Sequence, residues 1–179
     1  VLAADLYGIA EDGRFVLIDT DTGATTPLFQ TTADAGSMAY APDSAVFAVV
    51  VSDTDPGSSV RIALAGTTTN AGPVTGLPPG EQKTGSIGYS GTGDDLFITF
   101  GPTGTFLENR IARLGLDAAV TQVSPNLGLG DNDGVVWDDF NARTLVHDYN
   151  ANDGLPRVAA VSEIVTAPSL DSVAQPTSR

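Results

Sequence analysis

The sequence predicts an all-β fold built from four repeats of an antiparallel, four-stranded sheet. Three observations predict it. A glycine-led apolar strand recurs at Gly36, Gly85 and Gly134, at intervals of 49 and 49 residues. An Arg-led alternating strand recurs at Arg14, Arg61, Arg110 and Arg157, at intervals of 47, 49 and 47. The composition, with 20 Gly, 11 Pro and an excess of Asp over Glu, is that of turns and strands rather than helices.

Each repeat reads as four runs in a fixed order. The glycine-led runs are Gly36-Ser-Met-Ala-Tyr40, Gly85-Ser-Ile-Gly-Tyr89 and Gly134-Val-Val-Trp137. The second runs are Asp5–Ile9, Ala45–Val49, Asp95–Thr99 and Thr144–Asp148, and the Arg-led runs are third. The fourth, rich in Thr and marked by Pro, are Thr25–Phe29, Gly72–Thr75, Ala119–Val123 and Thr166–Leu170. Proline cannot donate to a central ladder, so the fourth runs are expected at sheet edges. Turn residues separate the runs, as at Glu11-Asp-Gly13, Pro42-Asp-Ser44 and Gly91-Thr-Gly-Asp94. Four short antiparallel strands per 47–49 residues make a β-propeller blade, and blades bury their faces by stacking on one another.

The side-chain pattern agrees. Tyr40, Tyr89 and Trp137 fall at equivalent places, with Met38, Ile87 and Val135 two residues earlier on the same face. The opposite face carries small residues, Ser37 and Ala39 or Ser86 and Gly88. Large on one face and small on the other suits sheets packed closely near a common axis. The expected domain is residues 1–179, with repeats at about 1–35, 36–84, 85–133 and 134–179.

One strand is missing. Three glycine-led runs plus twelve of the other types give 15 strands, not 16, and the first repeat is the one left short. Three explanations stand side by side: a longer parent chain, a ring closed with one three-stranded blade, or an edge covered by a neighbouring subunit in a filament or other homo-oligomer.

The units Leu6-Tyr-Gly-Ile9 and Phe15-Val-Leu-Ile-Asp-Thr-Asp-Thr-Gly23 resemble the divergent secreted β-propellers of the YVTN and NHL kind. The resemblance implies a propeller fold and a binding surface. No WD dipeptide of the WD40 placement and no kelch double glycine accompanies it.

Charge narrows the partners. The 22 acidic and 8 basic residues give −14, with a pI near 4.1. Nucleic acid and anionic membrane are opposed by long-range repulsion. A mean hydropathy of +0.06 is enough for a packed core, and no run is long enough to span a membrane. The acids are 18 Asp and 4 Glu, and Lys83 is the single lysine. That balance suits a protein kept soluble in salt, which points to a halophilic or marine, secreted, extracellular or periplasmic setting, although turn chemistry alone produces much of the same excess. With no cysteine, disulfides and thiolate chemistry are excluded.

Candidate chemistry is sparse. Asp19-Thr-Asp-Thr-Gly23 and Asp53-Thr-Asp-Pro-Gly57 begin like Ca²⁺ loops, but neither continues to a bidentate Glu, and a self-capping turn explains both. Asp131 and Asp133 precede a glycine-led strand and Asp34 occupies a related loop, so these three are candidates for Ca²⁺ near an axial channel. A solvated acidic loop is the simpler reading. The repeat arginines are expected to pair with Asp on adjacent strands rather than to hold a ligand. His147, the only histidine, is the candidate catalytic residue, yet it lies in an alternating strand without a Gly-x-Ser-x-Gly elbow. The expected function is a non-catalytic, secreted or cell-surface module for protein binding or self-assembly. The alternative is a metal-assisted hydrolase or lyase, or a fragment of one, with its site at the axial channel.

Overall fold

The computed structural model describes residues 6–31, 37–51, 57–91, 93–105, 107, 109–128, 131–150, 155–161 and 170–172. Within them lie fifteen strands and no helix. The first sheet, in order β1-β2-β3, is three-stranded: β1 (Leu6–Ile9), β2 (Arg14–Ile18) and β3 (Thr25–Gln30). The second runs β4 (Ser37–Ala41), β5 (Val46–Val51), β6 (Ser58–Ala63) and β7 (Thr68–Pro73). The third runs β8 (Lys83–Tyr89), β9 (Leu96–Gly101), β10 (Arg110–Leu114) and β11 (Val120–Val123). The fourth runs β12 (Asp131–Asp138), β13 (Arg143–Asn150), β14 (Leu155–Val161) and β15 (Leu170–Ser172). Every strand pairs antiparallel with its sequence neighbour, so each sheet is a meander. This is the repeated, blade-like all-β architecture of a β-propeller, and among the described residues its first blade has three strands.

Prolines sit where their chemistry allows. Pro27 and Pro73 lie in β3 and β7, the outer edges of their sheets, where a missing N–H leaves no gap in a central ladder. Among the fourth strands, two are displaced from the sequence reading. The fourth strand of the second repeat is Thr68–Pro73 rather than Gly72–Thr75, and that of the last repeat is Leu170–Ser172. The turn at Leu64–Thr67 explains the first: Gly66, with φ +89°, closes a tight hairpin by donating its N–H to the Ala63 carbonyl.

The core lies between sheets, in three separate clusters. The first seam joins Phe15 of β2 to Phe47, Val49, Val60 and Ile62 of the second sheet. The second joins Ala39, Ala41 and Ala48 to Ile87, Ile98 and Phe100 of the third. The third joins Phe97 and Ile111 to Val135 and Val146 of the fourth. Strand β9 serves two seams by alternation and is buried throughout: Leu96, Ile98 and Phe100 face one way, Phe97 the other. Among the described residues, no such cluster joins the fourth sheet to the first.

Close approach of the inner strands explains their small residues. A Cβ on Gly88 would lie 2.2 Å from the Val135 carbonyl oxygen, so β8 and β12 meet only because residue 88 has none. Gly91, at φ +86°, lies under the Trp137 indole, whose Cε2 would be 2.2 Å from an added Cβ. Between β4 and β8 the Ser37 hydroxyl accepts the Ile87 N–H at 3.1 Å.

Candidate functional site

The inner edge of the first sheet defines the most distinctive surface of the molecule. Strand β1 corresponds to β5, β9 and β13, each of which pairs on its inner side with β4, β8 or β12. Among the described residues, the first sheet ends at β1 on that side. Beside it opens a groove of about 440 Å³ lined by Leu6, Tyr7, Met38, Tyr40, Phe47 and Leu64. Its mouth is apolar: Leu6 is 51% exposed, Tyr40 40% and Leu64 42%.

Aromatic stacking makes the floor rigid. Tyr7 lies 5.7 Å from Phe15 and 5.2 Å from Phe47, and Tyr40 lies 4.9 Å from Phe47. Phe15 in turn stacks on Phe29 at 4.9 Å, with planes 11° apart. Centroid spacings in this range are the favoured ones, and each pair adds to the area it buries. The strands hold the rings in place: Tyr40 is opposite Phe47 in the β4–β5 register, and Ile9 is opposite Phe15 in β1–β2.

Of His147, Asp34, Asp131 and Asp133, only His147 has a described side chain. His147 is half-buried in β13, opposite Gly134 on one side and Val158 on the other. Asp131 and Asp133 lie in β12, with Asp131 opposite Tyr149, but their side chains are outside the described part. Asp34 and the Asp53–Pro56 stretch also lie outside the described residues. Among the described residues, no cluster of three His, Asp or Glu side chains is placed to hold a metal ion.

At Asp19 the acid serves its own turn. Its Oδ1 accepts the N–H of Asp21 and of Thr22, both at 2.9 Å, and Gly23 follows at φ +73°. The Thr22 N–H bond, then that of Asp21, holds the Asp19 carboxyl below its ordinary value. Asp12 is lowered in the same way, chiefly by the Arg14 backbone N–H, and Asp138 chiefly by the Asn141 side-chain amide. For Asp94 desolvation pushes upward, and the hydrogen bonds from the Ser44 hydroxyl and backbone outweigh it.

Four of the described arginines, Arg14, Arg110, Arg113 and Arg143, form ion pairs with acids. Arg14 pairs with Asp12 at 2.7 Å, and Arg113 with Asp95 at 2.6 Å while lying over the Phe97 ring. Arg110 pairs with Glu81, donates to the Ser124 carbonyl and covers Phe100. Its acid is thus a glutamate from the loop before β8, where the sequence pointed to an aspartate on an adjacent strand.

The groove was not among the sequence candidates. Two signals were available: the missing strand, and the large residues Met38 and Tyr40 on the face of β4 turned toward the short sheet. Phe140, 94% exposed in the turn between β12 and β13, also had no sequence signal.

No protein-family model matches this chain, and no curated protein matches its sequence. Solved structures do. A nidogen–laminin complex matches with a TM-score of 0.65 and 16% identity, over 93% of this chain and 60% of that one. TolB from Acinetobacter baumannii matches at 0.60 and 12%, over 94% and 40%. A Lactobacillus plantarum protein matches at 0.56 and 17%, over 94% and 53%. The chain is a β-propeller scaffold by this likeness of fold. It spans between 40% and 60% of the length of the chains it matches. Among the described residues, no helix is long and apolar enough to cross a membrane.

Proposed function

We propose that this chain is a non-catalytic, secreted or cell-surface propeller module of the YVTN/NHL kind that binds protein partners, its own copies included. The observation that carries this reading is an apolar groove lined by Leu6, Tyr7, Met38, Tyr40, Phe47 and Leu64, with Leu6, Tyr40 and Leu64 exposed at its mouth. Apolar side chains exposed together around a groove reward whatever covers them. The fold supports a binding role because propellers present repeated loops and edges on a rigid frame. The net charge of −14 favours partners with basic character.

Sedimentation velocity and native mass spectrometry over a wide concentration range, with and without chelator, test the reading. Association that rises with concentration, ignores chelator and is weakened by Tyr40→Ser supports self-assembly through the groove. A species that stays monomeric, captures no basic partner and acquires hydrolase activity on adding Ca²⁺ sinks it in favour of a metal-assisted enzyme.

A further inference from the structure

We infer that the apolar groove at the first seam takes the Phe140 ring of a second copy of this chain, and that two copies meet face to face with each ring in the other's groove. The inference rests on the binding reading above and names the occupant of that surface. It follows from where the hairpin turns lie.

The turns after β4, β8 and β12 close the inner hairpins of the second, third and fourth sheets. Contacts between them put all three at one end of the molecule. The Ser44 backbone N–H donates to Asp94 Oδ1 at 2.9 Å, which ties the first turn to the second. Gly91, in the second turn, lies under the indole of Trp137, which leads into the third. Phe140 sits in that third turn and is 94% exposed. The groove opens at the same end. Tyr40 and Phe47 flank the first turn as opposed residues of β4 and β5, and Leu64 follows Ala63, the partner of Val46.

Ring and groove suit each other. None of the lining residues is charged, so the groove selects an apolar group by shape, and its volume of about 440 Å³ is ample for one aromatic ring. Tyr40 and Phe47, 4.9 Å apart, offer faces and edges to a third ring. Phe140 is the most exposed of the described large apolar side chains. Its turn is braced: Asp138 accepts the Asn141 side-chain amide at 2.8 Å and the Arg143 Nε–H at 3.1 Å, so the ring enters with little ordering cost. Because ring and groove share one end, a two-fold axis between them brings both pairs together at once. Two such insertions bury about 600–1,000 Å², ring and groove wall together, against about 1,200 Å² for the smallest stable interfaces. The pair is therefore weak and reversible. Each copy also carries −14, with Asp43 and Asp139 exposed at the shared end, so salt favours the contact.

The test is sedimentation equilibrium in high salt, joined to methyl NMR of Met38, the single methionine and a lining residue of the groove. The wild-type chain is expected to approach a dimer plateau as concentration rises, with the Met38 methyl signal moving as the ring arrives. Phe140→Ser, at a site with almost no packing to lose, should keep the melting temperature, weaken association at least about tenfold and hold the methyl signal still. Leu64→Ser, at the mouth of the groove, should weaken association similarly. Val136→Thr, exposed on β12 away from the turn, should leave it unchanged. Mixing Phe140→Ser with Leu64→Ser should restore part of the association, because one intact ring then meets one intact groove.

Growth past the dimer without a plateau, or loss of association in Val136→Thr, would each overturn the face-to-face pair. A chain that stays monomeric in high salt overturns it as well and leaves the binding reading to a partner of basic character. If Tyr40→Ser disperses the association and Phe140→Ser does not, the groove reading stands and this assignment of its occupant falls.

Discussion

At Gly88 the absence of a single methyl group decides how closely two strands can pass. The Val135 carbonyl stands where a Cβ would go, so Gly88→Ala must push β8 and β12 apart along the seam that Phe97, Ile111 and Val146 fill. Overpacking of this kind costs about 1–3 kcal/mol. Urea denaturation should show a lower midpoint with an unchanged slope. A midpoint equal to wild type would mean that the seam is looser than the geometry requires. Acid tolerance is also set residue by residue. Asp12, Asp19, Asp94 and Asp138 are each held below the ordinary carboxyl value of 3.8. Between the folded and unfolded values the unfolded chain binds more protons, so these groups stabilise the fold above about 3.8 and lose that effect as pH falls through their lowered values. Thermal melts should therefore drop steeply below about pH 3.8. Asn replacement of Asp19 and Asp138 together should flatten that drop, and an unaltered acid limb would assign it elsewhere.

At the scale of the strand, β9 is the most enclosed element, buried along all six residues. Truncating its fully buried Phe100 to Ala removes the ring beneath the Arg110 guanidinium and opens a void in the second seam. The expected cost is about 3–5 kcal/mol. Native-state hydrogen exchange should find β9 amides among the slowest and those of exposed β3 among the fastest; the reverse order would refute this ranking. Strands are also where the reach of the sequence is clearest. Their number, order and the short first repeat follow from the glycine and arginine landmarks, because period-2 alternation and turn residues are local signals. Faces were harder to read. Ile62 faces the first seam whereas Ile111 faces the third, so Arg61 lies on the opposite side of its sheet from Arg110 although both lead the same motif. A one-residue slip reverses every side chain, and the 47- and 49-residue intervals conceal where the slip falls. The groove was legible only in its ingredients. The orientation of Met38 and Tyr40 had to be combined in three dimensions with the positions of Tyr7 and Phe47 before a surface emerged.

For the whole molecule, charge is the dominant long-range force. Fourteen uncompensated negative charges repel one another in the folded state, and the ion pairs at Arg14, Arg110, Arg113 and Arg143 offset only part of that. Salt reduces the screening length from about 30 Å at 0.01 M to about 3 Å at 1 M, so repulsion across the molecule fades first. The melting temperature is expected to rise between those concentrations, as measured by calorimetry; a fall would mean that the four ion pairs outweigh the general repulsion.

The placement of the core has a consequence for how such a chain can change over generations. Each apolar cluster belongs to a seam and draws its side chains from two successive repeats. Each of the two middle repeats therefore carries half of two different cores, one on each face. A tandem duplication of a single repeat would copy both halves together, and the new unit would meet old neighbours with faces already matched to receive it. Point changes within a seam, by contrast, must be answered across it: a larger side chain at Gly88 asks for a retreat at Val135. Lengthening by whole units is thus the gentle route of variation for this architecture, and alteration of one face at a time is the harsh one.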